Sequence, residues 1–347
     1  MTEDRKGLDR RTLMRGGVLG ALAAPALIGK GIAAGEVNWR VQSHWPKASG
    51  SFNGSLGVLA DLVKERTDGR MTLELFGAGE FAKGPEIFNI VSKGVVQMGS
   101  SSASYMESYA TTAGFAYGIP GTLRNSWEIM HLLKNLGVEK MFADEILEEG
   151  VIYKSEKVYP TELVLSKQVK SVDDFRSLKL RSSGTMLDYL SAAGASASYI
   201  AGSELYQALS SGVVDGAHWG AAIGAKSMSL WEVCKYHMKP PLGFTADAWI
   251  FNADAMEDLP DDIRLIFQSL VEERFYLRSI DYLDGEARTL TEGVKNEGVE
   301  ITQFPDDVLA LFAQASGDIL AKEAEKSEKA AACADALTGL MKNLGYV

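Results

Sequence analysis

Lys179-Leu180-Arg181, followed by Ser203-Glu204-Leu205-Tyr206-Gln207-Ala208-Leu209-Ser210-Ser211-Gly212-Val213-Val214-Asp215-Gly216, is the stretch from which the fold reads most directly. The first piece reads as a short strand that ends in an arginine. In the second, Ser203 is placed to cap a helix, Gly212 stops it where a left-handed backbone costs little, and a short Val-rich strand leaves. That strand exits at His218-Trp219. A guanidinium and an aromatic wall at neighbouring strand ends form a layout for gripping a small carboxylate.

The same unit occurs earlier in the chain. Val91-Ser92-Lys93-Gly94-Val95-Val96-Gln97-Met98-Gly99 lies beside Leu209-Ser210-Ser211-Gly212-Val213-Val214-Asp215-Gly216, each with a helix ending at glycine before two valines. Around the first copy the pattern predicts a strand over Asn38–Ser43 and a loop from Trp45 to Ser51. A helix carrying Leu56, Leu59, Ala60 and Val63 at helical spacing follows, stopped by Gly69. Next come a strand over Met71–Phe76, a helix opened by Gly84-Pro85 and stopped by Gly94, and a strand over Val95–Met98. Around the second copy, Ser171 with Asp174 predicts a helix cap, Lys179–Arg181 a strand and Thr185–Ala193 a helix. Strands alternating with helices imply an α/β fold with helices on the sheet faces. Two such units imply two lobes with a cleft between them. Beyond Pro260 the chain reads as helical. Ile263, Ile266, Phe267, Leu270 and Val271 share a face, a very long charged helix spans Asp281 to about Glu297, and another helical tract runs from Asp306 to Leu344. Its Glu/Lys/Ala run at 322–332 reads as a solvated surface helix, with an oligomerisation arm as the alternative.

The N-terminus shows Asp9-Arg10-Arg11-Thr12-Leu13-Met14, then an apolar Ala/Gly-rich run from Gly16 to Gly29 and small residues at Ala33-Ala34. That is the twin-arginine form of an export signal over residues 1–34. Its apolar run is shorter than the roughly 20 residues that span a bilayer. The full chain has 347 residues and a net charge of −11. The segment 1–34 carries six of the 35 basic and three of the 46 acidic residues, so the remainder is more acidic still. That sign disfavours nucleic acid as a partner, and any anionic ligand requires a local positive site. Only Cys234 and Cys333 are present. An oxidising compartment permits a disulfide between them, and two buried free thiols are equally compatible with the sequence.

Gly77-Ala78-Gly79-Glu80-Phe81-Ala82 mimics the dinucleotide fingerprint. The next helix starts only at Pro85, too far on for the glycines to open its N-terminus, and Glu80 would oppose a phosphate. A tight glycine loop at a cleft edge is the better reading. The chain contains no G-x-S-x-G, H-E-x-x-H or C-x-x-C. Its histidines, 44, 131, 218 and 237, lack metal-ligand spacing. No nucleophile–base pair is recognisable, so neither an enzymatic reaction nor a cofactor is expected. Arg181 sits in a segment built for burial and therefore requires a partner. That partner is either an internal Asp or Glu or an incoming carboxylate. His218 is either a hydrogen-bonded structural residue or a ligand contact. The hydroxyls of Ser100-Ser101-Ser102-Ala103-Ser104-Tyr105 end a strand, where α/β proteins gather ligands, or form an ordinary Ser-rich loop.

Taken together, Gly77-Ala78-Gly79-Glu80, the Pro85–Gly99 unit, Leu178-Lys179-Leu180-Arg181 and Glu204-Leu205-Tyr206-Gln207-Ala208-Leu209 with Gly212–Gly216 resemble the extracytoplasmic solute-binding subunits of TRAP transporters, the dicarboxylate-binding family. The resemblance covers essentially all of the chain after residue 36. It implies a type II-like periplasmic binding protein whose two lobes share strands and are bridged by a long hinge-spanning C-terminal helix. Lobe I would comprise 36–158 plus about 247–286, and lobe II about 159–246 plus 287–347. It also implies closure on a small organic acid and docking on membrane permease subunits, as a monomer or homodimer. The family's signature arginine corresponds to Arg181. Trp219 would pack on the carbon skeleton, and His218, Ser101, Tyr105 and Trp45 would complete the contacts. The nearest branch binds keto and hydroxy acids. Some of its members hold the acid through a metal ion, with an acidic residue directly before the tryptophan. Here that residue is His218, and the other metal-ligand positions correspond to Pro160 and Phe244. Metal-free binding is therefore expected, with the imidazole bonded to the ligand and affinity responding to pH near 6.5. A receptor-coupled sensing subunit and a secreted hydrolase are the alternative functions.

Overall fold

The computed structural model describes residues 36–347; the proposed signal at 1–34 lies outside the described residues. The strands, in chain order, are β1 (Val37–Ser43), β2 (Met71–Phe76), β3 (Met98–Ser102), β4 (Val151–Thr161), β5 (Leu163–Leu165), β6 (Lys179–Arg181), β7 (Ser196–Ser198), β8 (Gly216–His218), β9 (Tyr236–Lys239), β10 (Gly243–Asn252) and β11 (Glu300–Gln303). They form two sheets, ordered β2-β1-β3-β10-β4 and β11-β9-β5-β8-β6-β7.

The two orders are the same plan used twice. In each sheet the strand next to one edge is flanked by two parallel neighbours, β1 by β2 and β3, β6 by β7 and β8. The next strand is antiparallel, β10 against β3 and β5 against β8, and so is the one beyond it, β4 against β10 and β9 against β5. The connections cross between sheets. β4 lies at the edge of the first sheet and passes through Glu162 into β5 inside the second. β9 passes through Pro240-Pro241-Leu242 into β10 inside the first.

Period-two alternation drives this packing. Along β10, Trp249 and Phe251 join Trp39, Val41, Met98 and Phe267 in one core, while Ala246, Ala248 and Ile250 join Ile87, Val91 and Phe142 in another. Both faces of the first sheet are thereby covered. A third core around Val164, Leu209, Ala217 and Trp231 backs the second sheet.

The face carrying Ile263, Phe267, Leu270 and Val271 and the charged tract near 281–297 belong to one uninterrupted helix, Asp261–Asn296. Its 36 residues span roughly 54 Å at about 1.5 Å per residue. Phe267 packs on the first sheet and Phe275 in the shared core, while Leu290 packs against the core of the second sheet. Gly293 lets the helix approach Trp231, since a Cβ there would stand 2.6 Å from the indole.

Several element boundaries differ from the sequence reading. Neither Val95–Gln97 nor Val213–Asp215 is strand; the strands begin at Met98 and Gly216. Each pair of valines is held in a glycine turn instead, with one valine buried and the other exposed (Val95 45%, Val213 60%). Hydrogen bonding to the preceding helix outweighs β-propensity at these positions. The helix at Gly84 opens as a single 3-10 turn before Ile87–Ser92. The 306–344 tract is two helices, Asp306–Ala324 and Glu328–Asn343, and Ser327 caps the second through the Ala330 N–H. The second helix buries Ala330, Cys333, Leu337 and Leu340, so the 322–332 run is not a wholly solvated helix. Cys234 and Cys333 are free, buried in different cores, and burial pushes both thiols up to about 12.

Candidate functional site

The carboxyl ends of β1, β3, β6 and β8 converge, as expected where parallel strands build a site. β1 delivers His44 and Trp45, β3 delivers Ser102 and Tyr105, β6 delivers Arg181 and β8 delivers His218 and Trp219. Between them lies a cavity of about 50 Å³, closed from other sides by Tyr159, Asp247 and Tyr282. At about 10–15 Å³ per water, this is room for a handful of water-sized groups, which suits a very small ligand.

Arg181 is the centre of the arrangement and only 2% exposed. Its Nε donates to the Ile200 carbonyl at 2.9 Å and its Nη1 to the His218 carbonyl at 2.8 Å. Its Nη2 is buried and finds no partner among the described residues. No Asp or Glu among them pairs with it either, so the internal ion pair is not what is observed. The guanidinium carbon stands 4.9 Å from the Trp219 ring centroid. Gly202 supports that ring at its far edge, where a Cβ would come within 2.2 Å of it. Two backbone carbonyls and an indole therefore fix a guanidinium that retains an unmatched donor terminus.

His218 is placed differently from expectation. Its Nδ1 lies 2.8 Å from Ser182 Oγ and its Nε2 lies 3.2 Å from the Tyr117 hydroxyl. Burial, reinforced by the Arg181 charge, lowers its pKa to about 3. The imidazole is neutral and both ring nitrogens are taken. The expectation that it bonds the ligand directly and titrates near 6.5 is thus corrected: it lines the cavity and carries the carbonyl that holds Arg181.

Trp45 and Tyr105 line the cavity, whereas Ser101 does not. On β3 successive side chains alternate in direction. Ser102 reaches the lining and Ser100 bonds Ser43, while the Ser101 hydroxyl is buried without a hydrogen-bond partner among the described residues. The Trp45 N–H donates to Ser43 Oγ at 2.9 Å, which sets the turn that brings the indole inward.

Sequence reading missed a buried polar cluster behind Trp45. Lys157 Nζ lies 2.5 Å from Asp247 Oδ2 and 2.8 Å from Glu156 Oε2, and the Tyr159 hydroxyl donates to Asp247 Oδ1 at 2.9 Å. The Lys157 ammonium sits 4.5 Å from the Trp45 ring centroid and 4.8 Å from that of Tyr159. His44 Nε2 stands 3.7 Å from Asp247 Oδ1, and burial lowers the His44 pKa to about 4. An available signal was an acid inside the otherwise apolar strand Thr245-Ala246-Asp247-Ala248-Trp249. A charge there requires a partner, and Lys157 is the buried lysine opposite it in the β4–β10 register.

The donor set does not fit a metal ion. Pro160 and Phe244 are cross-strand partners in β4 and β10 and offer no side-chain oxygen. The nitrogens of His218 are already bonded. The charge of Asp247 is already matched by the Lys157 ammonium at 2.5 Å, which a cation bound beside it would oppose.

A monocarboxylate 2-oxoacid-binding periplasmic protein from Nostoc sp. is 28% identical over 302 residues, covering 84% of this chain and 80% of that protein. The C4-dicarboxylate-binding periplasmic protein of Rhodobacter capsulatus is 25% identical over 239 residues, covering 67% and 68% respectively. Among solved structures, a TRAP periplasmic solute-binding protein from Pseudoalteromonas atlantica, determined with sodium and pyruvate bound, superposes with a TM-score of 0.81 at 22% identity. It covers 89% of this chain and 95% of that one. The likeness establishes the two-lobed fold. The model of the bacterial extracellular solute-binding proteins, family 7, matches residues 42–327, and the chain belongs to that family.

Proposed function

We propose that this protein captures a small organic acid outside the cytoplasm and delivers it, unaltered, to TRAP membrane permease subunits. The supporting observation is Arg181, which lines a cavity of about 50 Å³ and whose buried Nη2 is a charged donor without a partner among the described residues. A buried unmatched guanidinium terminus is costly by itself, and a ligand carboxylate removes that cost. Trp219 covers the carbon skeleton, while Trp45, Tyr105 and the Ser102 hydroxyl frame the remainder.

In this reading lobe I is 36–158 plus about 247–286 and lobe II about 159–246 plus 287–347, and the segment 1–34 directs export. Closure occurs about the crossings at Glu162 and Pro240 and along the Asp261–Asn296 helix. Membership in a binding-protein family supports capture without chemistry.

Thermal melting of the protein against a library of C2–C6 organic acids tests the proposal. A true ligand at a hundredfold excess over its Kd stabilises by about 2.7 kcal/mol. At least one acid should therefore raise Tm by several degrees and be recovered chemically unchanged. A library in which no acid moves Tm, or a ligand recovered as a new product, contradicts it.

A further inference from the structure

Arg181 accounts for the capture of an anion, but Asp247 then becomes anomalous. It places a second carboxylate, 4% exposed, in the lining of the same small cavity. A site selecting an anion by charge alone has no use for an acid in its wall. Asp247 is also firmly held, with Lys157 at 2.5 Å on Oδ2 and Tyr159 donating at 2.9 Å on Oδ1. The Lys157 ammonium, itself stacked among aromatic rings, balances its charge from behind.

A carboxylate accepts about four hydrogen bonds, and these two donors leave acceptor capacity on Oδ1. His44 does not fill it, since Nε2 stands 3.7 Å away, beyond hydrogen-bond reach. The serine and tyrosine hydroxyls of the lining rotate to give or accept, and the neutral His44 imidazole has either tautomer available. These groups tolerate a ligand oxygen of either kind. Asp247 does not, because it only accepts.

We infer that the acid captured here carries a second group, a hydroxyl or an N–H, that donates to Asp247, so that hydroxy acids are preferred to their oxo counterparts. The inference rests on the acid-capture reading above. An oxo oxygen set against Oδ1 repels it and leaves the carboxylate unmatched, whereas a hydroxyl satisfies it. Sites built around a buried polar partner reject analogues lacking that partner far more strongly than apolar sites do.

Calorimetry on the purified protein with matched pairs tests this: lactate against pyruvate, 2-hydroxybutyrate against 2-oxobutyrate, and 3-hydroxybutyrate against acetoacetate. The hydroxy acid of at least one pair should bind tenfold or more tightly than its partner, and no pair should show the reverse. Asp247→Asn presents an amide N–H2 in place of one acceptor oxygen, and the preference should fall at least tenfold or invert. Lys157 keeps Glu156 in that variant, so its charge is not orphaned. If the variant fails to melt cooperatively, the wild-type ratios decide alone. Equal or tighter binding of the oxo acids overturns the inference and leaves acid capture standing, as does a folded Asp247→Asn protein with the wild-type ratio. Failure of every acid in the set to bind overturns this inference, and the C2–C6 library then decides acid capture separately.

Discussion

The first sheet and the second build the same backbone frame with different side chains, and the contrast is sharpest at one position. In the first, Gly94 turns the chain at φ 66° and the Val95 and Val96 N–H groups return to the Ile90 carbonyl. In the second, Gly212 turns it at φ 73° and Val213 and Val214 return to Ala208. Gln97 Oε1 accepts from the Arg40 N–H at 2.9 Å, and Asp215 Oδ2 accepts from the Lys179 N–H at 3.0 Å. Ser43 Oγ meets Ser100 Oγ at 2.8 Å, and Ser182 Oγ meets His218 Nδ1 at 2.8 Å. The position two residues beyond Arg40 is Gln42, and two beyond Lys179 is Arg181. Both amide hydrogens of Gln42 are used, on the Ser43 and Gly77 carbonyls, and its oxygen accepts from the Phe81 N–H. It fastens the glycine loop. Arg181 occupies the equivalent place with an unmatched donor. In the proposed reading, one scaffold position serves structure beside the first sheet and ligand beside the second, so the anchoring would be asymmetric although the frame is not.

Truncation at the two positions should separate these roles. Arg181→Ala should weaken acid binding by roughly 2–5 kcal/mol, on the order of thirtyfold to several thousandfold by calorimetry, while Arg181→Lys restores it only in part because the planar fork is lost. An unchanged Kd in a folded Arg181→Ala protein would remove the asymmetry. Gln42→Ala should show the opposite profile. Three hydrogen bonds in a buried site are lost, so unfolding stability should drop by about 1–3 kcal/mol, with Kd shifted much less than in Arg181→Ala.

The serine pairs sharpen the comparison through pH. His44, beside the first pair, and His218, in the second, are held to pKa values of about 4 and about 3. Both are depressed from about 6.5 in the unfolded chain. The unfolded state therefore binds more protons between those values, and the stability is intact above pH 6.5 and lost progressively as pH falls toward 4 and 3. By pH 5.5 each histidine should cost about 1 kcal/mol of stability, measurable by denaturant unfolding, and His218→Gln should remove its share of that slope. Affinity itself should stay level from pH 6.5 to 8, where both rings are neutral. A Kd that titrates near 6.5 and loses that titration in His218→Gln would mean the imidazole meets the ligand after all. The smallest expected effect is from chelation. Dialysis against EDTA should leave Kd unchanged, and a loss restored by calcium or sodium would reveal a metal role that Pro160, Phe244 and the bonded His218 do not provide.

The repeat was legible in the sequence because its markers are local: a helix, a glycine at its end and two valines. Arg181 and Trp219 were legible for the same reason, lying at the exit of that unit. The strand starts were misread because the valines look like strand residues, while the preceding helix's carbonyls claim their N–H groups. Ser101 was misassigned because a row of serines carries no phase; which one faces the cavity depends on the pairing of β3 with β1 and β10. The Lys157–Asp247 pair was out of reach because its members are 90 residues apart and meet only when β10 crosses back beside β4. His218 was half read. Its place was visible, but Ser182 and Tyr117, which occupy its nitrogens, come from other elements.

The most direct test of the asymmetry is a crystal structure with a captured acid. The ligand carboxylate should lie within hydrogen-bond distance of Arg181 Nη2, with the guanidinium still on the Ile200 and His218 carbonyls and the Gln42 amide still on Ser43 and Gly77. A carboxylate held by another side chain, with Arg181 Nη2 left unpartnered, or a ligand bonded to Gln42, would contradict the account.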